Sequence, residues 1–283
     1  MTVQQLTNYQ EFNEQISAMH LEPGLITGIV GLQHNFKTGF LIETVVRFVG
    51  DHPRNLEDPM QDILLVTPDF SPMVIKLILS IINKLSCEDD LLLDERGLGD
   101  GELACYVQGW FAGLGYRLKV ETISRTEDDD SSLRTLMRRI DKMEGENPRL
   151  LALDDLRELV HLEDEAAHRR AVVELRGYAA DKEASVIFTH PLSAEAARIL
   201  RELPRDRVQA ESFLETVADK GYIDGCPTLT LQCDVEINIH LNKIKGRETE
   251  CFIKMGVPRK SKVHEGIANI FAIPFSEKYT GLV

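Results

Sequence analysis

The sequence predicts an α/β protein: a mostly parallel β-sheet with helices on both faces and antiparallel strands at its C-terminal edge. Apolar, β-prone runs alternate with longer segments of helical period, which is typical of βαβ units. The last apolar runs follow one another closely, so further strands are expected at the C-terminal end. With 283 residues and 43% hydrophobic content, the chain is long enough to bury a substantial core.

Glycine and proline positions indicate where the elements begin and end. Pro23-Gly24 precedes the first strand, and Gly50 and Pro53 end the helix that begins at Lys37. Strands are predicted at about residues 25–30, 63–66, 118–123, 150–153 and 184–189, with late strands at about 228–232, 236–241, 251–253 and 267–273. Helices are predicted at about residues 37–49, 72–85, 132–143, 165–182 and 194–203, and the acidic stretch 87–102 is expected to be a solvated excursion.

Charge, cysteine content and hydropathy argue against several classes of protein. The net charge of −14 opposes a general attraction to phosphate backbones, so a nucleic-acid partner requires a local basic surface. The five cysteines have no CxxC spacing, which argues against a disulfide framework or a zinc site. The N-terminus lacks a signal-peptide pattern, and no apolar run approaches the ~18 residues of a spanning helix. We therefore expect a soluble, cytoplasmic protein with no membrane partner.

The most informative segment is the loop between the first strand and the following helix, Gly31-Leu32-Gln33-His34-Asn35-Phe36-Lys37-Thr38. A loop at this position directs free backbone N–H groups toward an anion. The segment has the first glycine, the lysine and the hydroxyl residue of the phosphate-binding pattern GxxxxGK[ST]. Phe36 replaces the second glycine of that pattern, and Gly39 follows the threonine.

This loop predicts a site for ATP and Mg²⁺. The Lys37 ammonium would lie between the β- and γ-phosphates, and the Thr38 hydroxyl would give one oxygen to the metal. The candidate nucleotide-binding residues are Gly31, Asn35, Phe36, Lys37, Thr38 and Gly39. The alternative is that a lysine–threonine pair simply begins a helix after a loop.

Three further polar residues follow predicted strands of the same sheet. Asp154 follows an apolar strand, where a carboxylate can reach Mg²⁺ beside the phosphate loop. Asp69 comes just after the second strand, where it could polarise the attacking water, and His190 ends another strand, where it could sense the γ-phosphate. Each residue also has an alternative explanation without a role in catalysis. Asp154 could be an aspartate that follows a strand by chance, Asp69 a turn aspartate beside Pro68, and His190 a packing histidine.

Taken in order, these segments resemble the RecA-type ATPase domain of the DnaB-family replicative helicases, roughly from Leu21 to the C-terminus. Leu21-Glu22-Pro23-Gly24-Leu25-Ile26 is similar to the family's entry pattern GLxPGxLxxI, and the phosphate loop follows it. Leu153-Asp154-Asp155-Leu156 is similar to IDYLQ, and Phe188-Thr189-His190-Pro191-Leu192 occupies the place of LSQLN. Phe252-Ile253-Lys254 is similar to the late strand that faces the neighbouring subunit's nucleotide.

The resemblance implies roles for the residues that match. Asp69 falls on the catalytic glutamate, Asp154 on the metal-side aspartate, and Lys254 on the lysine that acts across a subunit interface. The arginine finger has no clear match, and Arg259 or Lys260 could supply its charge from a longer hairpin. The resemblance also implies a homo-oligomer, a hexamer or a filament, that acts on single-stranded DNA. Residues 21–283 would form the ATPase domain after a short segment, 1–20, too short for a primase-side domain, which suggests a bacteriophage protein.

Three functions from different classes stay open at this point. The first is a phage replication or recombination ATPase that moves on single-stranded DNA, held by basic residues after His190, namely Arg198, Arg201, Arg205, Arg207 and Lys220. The second is a nucleotide-binding oligomeric loader or accessory protein with weak or no hydrolysis, whose acidic surface serves a basic partner. The third is an ordinary α/β protein without a nucleotide.

Overall fold

The computed structural model describes residues 21–68, 71–86, 99–122, 133–143, 148–159, 164–202, 207–243, 248–256, 270–276 and 281–282. Within these residues the chain forms one nine-stranded β-sheet with the order β3-β2-β4-β5-β1-β6-β7-β8-β9. The strands are β1 (Ile26–Gly31), β2 (Gln61–Thr67), β3 (Tyr116–Thr122), β4 (Pro148–Leu153), β5 (Ser185–Pro191), β6 (Val235–Asn242), β7 (Glu250–Gly256), β8 (Ile270–Ser276) and β9 (Gly281–Leu282).

The sheet has a parallel part and an antiparallel C-terminal part. Strands β3, β2, β4, β5, β1 and β6 pair in parallel, whereas β7, β8 and β9 pair antiparallel beyond β6. The carboxyl ends of the parallel strands therefore lie along one edge, with Gly31 of β1 between Pro191 of β5 and Ile239 of β6. The predicted α/β fold with an antiparallel C-terminal edge is confirmed.

Helices cover both faces of the sheet. They are α1 (Lys37–Asp51), α2 (Ser71–Ser86), α3 (Asp100–Gly113), α4 (Leu133–Met143), α5 (Leu156–Leu159), α6 (Glu165–Asp181), α7 (Ala194–Glu202) and α8 (Arg207–Lys220). Apolar residues of α1 to α3 pack in one core cluster, and those of α4 to α8 pack in a second cluster on the other face. Each face of the sheet is thus sealed by helices, as a parallel sheet requires.

The apolar runs form strands because both faces of the sheet are buried. In β1, Ile29 belongs to the cluster of α1 to α3, and Val30 belongs to the cluster of α4 to α8. Both side chains are fully buried, since successive strand residues point to opposite faces. Full burial of such a side chain contributes about 1.5–3 kcal/mol, which fixes β1 and its terminal loop in the centre of the sheet.

Two sequence predictions differ from the structure, and one helix has no counterpart among the predictions. A strand is predicted at residues 228–232, but a 3₁₀ helix occupies Thr230–Gln232, so this prediction is wrong. The acidic stretch 87–102 is predicted to be a solvated excursion, but its last residues begin α3, and residues 87–98 lie outside the described part of the chain. No helix is predicted over Arg207–Lys220, where the structure places α8.

Candidate phosphate-binding site

The candidate site is built on the loop from Leu32 to Phe36, between β1 and α1, at the carboxyl edge of the sheet. Two of its residues have left-handed backbone conformations, His34 with φ 58° and Phe36 with φ 65°. These turns end the strand and begin the helix at Lys37, so that the first-turn N–H groups of α1 face the edge of the sheet. The helix N-terminus is therefore available to an anion at the end of β1.

Asn35 and Gly31 hold the loop against β6. The Asn35 Oδ1 accepts a hydrogen bond of 2.7 Å from the backbone N–H of Leu241, and its Nδ2 lies 3.5 Å from Nδ1 of His240. A Cβ at Gly31 would lie 3.0 Å from the Ile239 carbonyl oxygen, so a side chain there would force the loop away from β6. Asn35, a predicted nucleotide-binding residue, thus has its carbonyl group engaged in shaping the loop.

Phe36 occupies the glycine position of the phosphate-binding pattern, and its ring is directed toward the C-terminal strands. Its left-handed conformation costs a non-glycine residue about 1–2 kcal/mol. The ring lies over Gly39, where an added Cβ would be 2.0 Å from Cε2 of Phe36. It also packs edge-to-face on Phe275 of β8, with 4.8 Å between the ring centroids. Gly39 therefore provides the space that the phenylalanine ring needs.

Lys37 places a buried ammonium group beside the loop. Its side chain is 9% exposed, and Nζ donates a hydrogen bond of 3.1 Å to the Leu32 carbonyl oxygen. The same nitrogen lies 3.9 Å from Oδ2 of Asp155. An ammonium group is the charge-assisted donor that phosphate oxygens accept, and the Asp155 carboxylate lies on the same side of the loop.

Asp154 provides the buried carboxylate on the β4 side of the site. Only 2% of the residue is exposed, and its backbone N–H donates to the Val66 carbonyl oxygen at 2.8 Å. Its Oδ1 accepts a 2.7 Å hydrogen bond from the Thr189 hydroxyl. Thr38 lies in the first turn of α1 and is half-buried. A hydroxyl and a carboxylate are hard oxygen ligands of the kind that Mg²⁺ takes.

His190 lies at the end of β5 beside β1, where Val30 is its register partner. It is fully buried, and Nε2 donates a 2.9 Å hydrogen bond to the Asp224 carbonyl oxygen. Burial, together with the neighbouring His168, Arg157 and Lys37, holds the pKa of His190 well below its ordinary value. The ring is therefore neutral at pH 7, and its one N–H is engaged by a backbone carbonyl.

Of the remaining predicted catalytic residues, the structure describes only Lys254. Asp69 and Arg259 lie outside the described residues, as does Lys260. Lys254 is half-buried on β7, in register with Asn238 of β6. Burial raises the pKa of Glu236, and its hydrogen bond from Asn238 and the charge of Lys254 partly offset that effect. Their predicted roles stay predictions.

The structure adds residues that the sequence pattern does not single out. Thr189 orients Asp154, and Asp155 lies near Lys37, so both neighbours of predicted residues take part in the site. Arg157 forms an ion pair with Asp224, whose carbonyl oxygen accepts from His190. The sequence signal for Asp155 and Thr189 is adjacency, because each lies beside a predicted site residue, whereas Arg157 and Asp224 do not.

The predicted DNA-binding cations are spread over two helices. Arg198 of α7 forms an ion pair with Glu195 at 2.6 Å, and Nε of Arg201 donates to the Ala197 carbonyl oxygen. Lys220 ends α8 and is exposed, whereas Arg205 and the side chain of Arg207 lie outside the described part. Among the residues that the structure describes, no helix is long and apolar enough to cross a membrane.

Comparisons with known proteins agree with this fold. Residues 6–282 match the family model described as a divergent DnaB-like ATPase. The fold is similar to a solved structure described as an ATPase domain, with a TM-score of 0.59 and 10% identity, covering 98% of this chain and 96% of that chain. It is also similar to a DnaB-like replicative helicase studied with its primase interactions, with a TM-score of 0.57 and 11% identity, covering 100% of this chain and 68% of that chain.

The comparison with curated proteins finds no match. At about one identical residue in ten, the likeness to the solved structures shows the fold, whereas the family model spans nearly the whole chain. The predicted resemblance to the DnaB-family ATPase domain is confirmed, and the chain belongs to the family of divergent DnaB-like ATPases.

Proposed function

We propose that this chain binds ATP with Mg²⁺ at the loop after β1 and hydrolyses it, coupling turnover to movement on single-stranded DNA. One observation carries the proposal: the Lys37 ammonium lies buried at the helix N-terminus, 3.9 Å from the Asp155 carboxylate. On the same edge of the sheet, Asp154 follows β4, and His190 lies near the carboxyl end of β5. A cationic group and acidic groups therefore lie at one edge of the sheet, and this supports a site for phosphoryl transfer.

Different residues of the site bind different parts of the nucleotide and its metal. Lys37 pairs with the β- and γ-phosphate oxygens, and the first-turn N–H groups of α1 donate to the same oxygens. Thr38 and Asp154 hold Mg²⁺, directly or through water, and Thr189 keeps the Asp154 carboxylate in one orientation. Mg²⁺ supplies charge neutralisation at the phosphate oxygens when it is bound.

Hydrolysis requires groups from outside the described site. Asp69 would polarise the attacking water, and Lys254 with Arg259 or Lys260 would reach the nucleotide of a neighbouring copy. Catalysis at an interface requires an oligomer, so the proposal includes a homo-oligomer, either a hexamer or a filament. A role in phage replication is part of this proposal and rests on the resemblance alone.

A second candidate function is a nucleotide-dependent loader with little or no turnover. His190 favours it, because its N–H donates to the Asp224 carbonyl oxygen and not toward the phosphate site. The acidic net charge of −14 also suits a basic protein partner better than a DNA backbone. In this case ATP binding would control assembly, and single-stranded DNA would not change the turnover rate.

The two functions are separated by measuring ATP turnover with and without single-stranded DNA. The first function predicts DNA-stimulated turnover that Lys37→Ala abolishes. The matched control is Lys76→Ala, because Lys76 is an exposed lysine on α2 that pairs with Asp100 at the surface. Tight ATP binding without turnover supports the loader, and an absence of nucleotide binding refutes both.

A further inference from the structure

Two aromatic rings lie beside the phosphate loop, on the side of the site opposite the acidic residues. Phe36 immediately precedes Lys37, and Phe275 lies near the carboxyl end of β8. Strand β8 runs parallel to β1, because β6, β7 and β8 alternate in direction, so Phe275 reaches the same sheet edge as the loop. The rings meet edge-to-face at 4.8 Å, and both residues are half-buried at the margin of the core.

The position of the charged groups gives the direction of a bound nucleotide. Lys37 lies near Asp155, and Asp154 follows β4, so the terminal phosphate and its metal belong on the β4 side of β1. The nucleoside is attached to the other end of the triphosphate. It therefore leaves the loop on the β6 to β8 side, where Phe275 lies.

We infer that Phe36 and Phe275 form a stacking surface for the nucleobase, so that Phe36 binds the base of the nucleotide in place of a glycine. This inference rests on the proposed binding of ATP at Lys37. Every nucleobase has a flat π-face, and base–aromatic stacking is among the stronger contacts that a phenylalanine can offer. The Phe36 ring lies over the first turn of α1, next to the N–H groups that would hold the phosphates.

The backbone of Phe36 supports a functional role for the ring. A glycine would relieve the left-handed conformation at φ 65°, yet the chain keeps phenylalanine there and has glycine at position 39. Strained conformations of this kind concentrate at ligand sites, where the surrounding structure maintains them. The ring packs against the core cluster of α1 to α3 and is half-buried, so part of its surface stays accessible to a ligand.

A second feature on the β6 side is a cavity of about 350 Å³ between the loop and α7 and α8. Its lining includes Asn35, His240 and Asn242. Burial lowers the pKa of His240 to about 4, so its ring is neutral at pH 7. The described lining residues of the cavity offer hydrogen-bonding groups, and none of them is a phenylalanine, tyrosine or tryptophan. The cavity is therefore the rival site for the base and is tested in the same experiment.

The test compares the affinities of Mg-ATP and Mg-tripolyphosphate by calorimetric titration, because only ATP carries a base. We expect Phe36→Leu and Phe275→Leu each to weaken ATP binding by about 5- to 100-fold, the range for loss of one base–aromatic stack. Tripolyphosphate binding should change less than twofold. Phe36→Tyr keeps a π-face and should retain ATP affinity, and urea unfolding of each variant confirms that it is folded.

A second readout does not depend on affinity. In a Trp110→Phe background, which removes the single tryptophan, Phe275→Trp places a fluorophore in the aromatic pair. ATP should quench its emission, and tripolyphosphate should not.

Unchanged ATP affinity in both leucine variants, or loss of ATP affinity in Asn242→Ala alone, would overturn the stacking proposal and leave the phosphate site intact. Wild-type protein that binds neither ligand refutes the phosphate site itself, and the stacking proposal with it.

Discussion

Replacing Gly39 with alanine tests the contact between the phosphate loop and the Phe36 ring. The added Cβ would lie 2.0 Å from Cε2 and 2.4 Å from Cδ2 of Phe36, far inside normal carbon contact distances. Since the neighbouring backbone belongs to α1, the ring must move. Overpacking of this kind costs about 1–3 kcal/mol, and the higher helix propensity of alanine offsets about 0.5–1 kcal/mol of it. We therefore expect Gly39→Ala to lower the free energy of unfolding by about 0.5–2 kcal/mol.

The sign of this effect should reverse when the ring is removed. In a Phe36→Gly background the clash is absent, and Gly39→Ala should stabilise the protein by about 0.5–1 kcal/mol through helix propensity. The double-mutant cycle then gives a coupling energy of about 1–3 kcal/mol. The free energies of unfolding of all four proteins are measured by urea denaturation, with the m-value constant among them.

Gly109→Ala is the matched control, because Gly109 lies within α3 and an added Cβ would meet nothing within 4 Å. It should be neutral or slightly stabilising in both backgrounds. An effect of Gly39→Ala that has the same sign and size with and without the Phe36 ring would refute the packing described for this loop.

Two further predictions concern Asn35 in the loop and His240 on β6. Asn35→Ala leaves the part-buried N–H of Leu241 without its 2.7 Å partner. We therefore expect the free energy of unfolding in urea to fall by about 1–3 kcal/mol, against less than about 0.5 kcal/mol for the exposed Asn55→Ala. Equal losses in the two variants would contradict the loop geometry. The pKa of His240 is about 4 in the folded protein and about 6.5 when unfolded, so its contribution to stability is complete above pH 6.5 and is lost as the pH falls toward 4. His240→Asn should abolish about 3 kcal/mol of the acid destabilisation measured between pH 7 and pH 4, whereas an unchanged pH dependence would show that the ring is not buried.

The sequence predicts the parallel half of the sheet well, because its signals are local and strong. Residues 37–49 are predicted as a helix where the structure has Lys37–Asp51, and the apolar run before Asp154 is the strand Pro148–Leu153. Strands that are buried on both faces have continuous apolar sequences, and this pattern is visible without knowledge of the tertiary structure. The order of elements then places the loop and Asp154 at one edge.

Other elements depend on information that local patterns do not carry. The start of α3 is acidic, and Asp100 and Glu102 look like a solvated loop, although negative residues in a first turn favour a helix. At Thr230–Gln232, alternating leucines imitate a strand, but the backbone forms local turn hydrogen bonds and Leu231 is exposed. Whether this segment forms a strand or a helix depends on its tertiary contacts, which the local sequence does not specify.

The site, too, has residues that the sequence predicts and residues that it does not. Lys37 and Thr38 are evident from a motif, because the chemistry of phosphate binding requires those residues in that order. The consequence of Phe36 is not evident, since the sequence alone does not tell whether its ring fills the anion site or packs elsewhere. Its contact with Phe275 joins residues more than two hundred positions apart, and only the folded sheet brings them together.

The central claim is that the helix N-terminus at Lys37 receives the triphosphate of ATP. Calorimetric titration of Mg-ATP into wild-type protein and Lys37→Ala, with Lys76→Ala as the surface control, tests it most directly. The account predicts saturable binding to the wild type and to the control, and binding at least about tenfold weaker in Lys37→Ala, since one charge-assisted contact contributes about 1.5–3 kcal/mol. Equal affinity in all three proteins would contradict it.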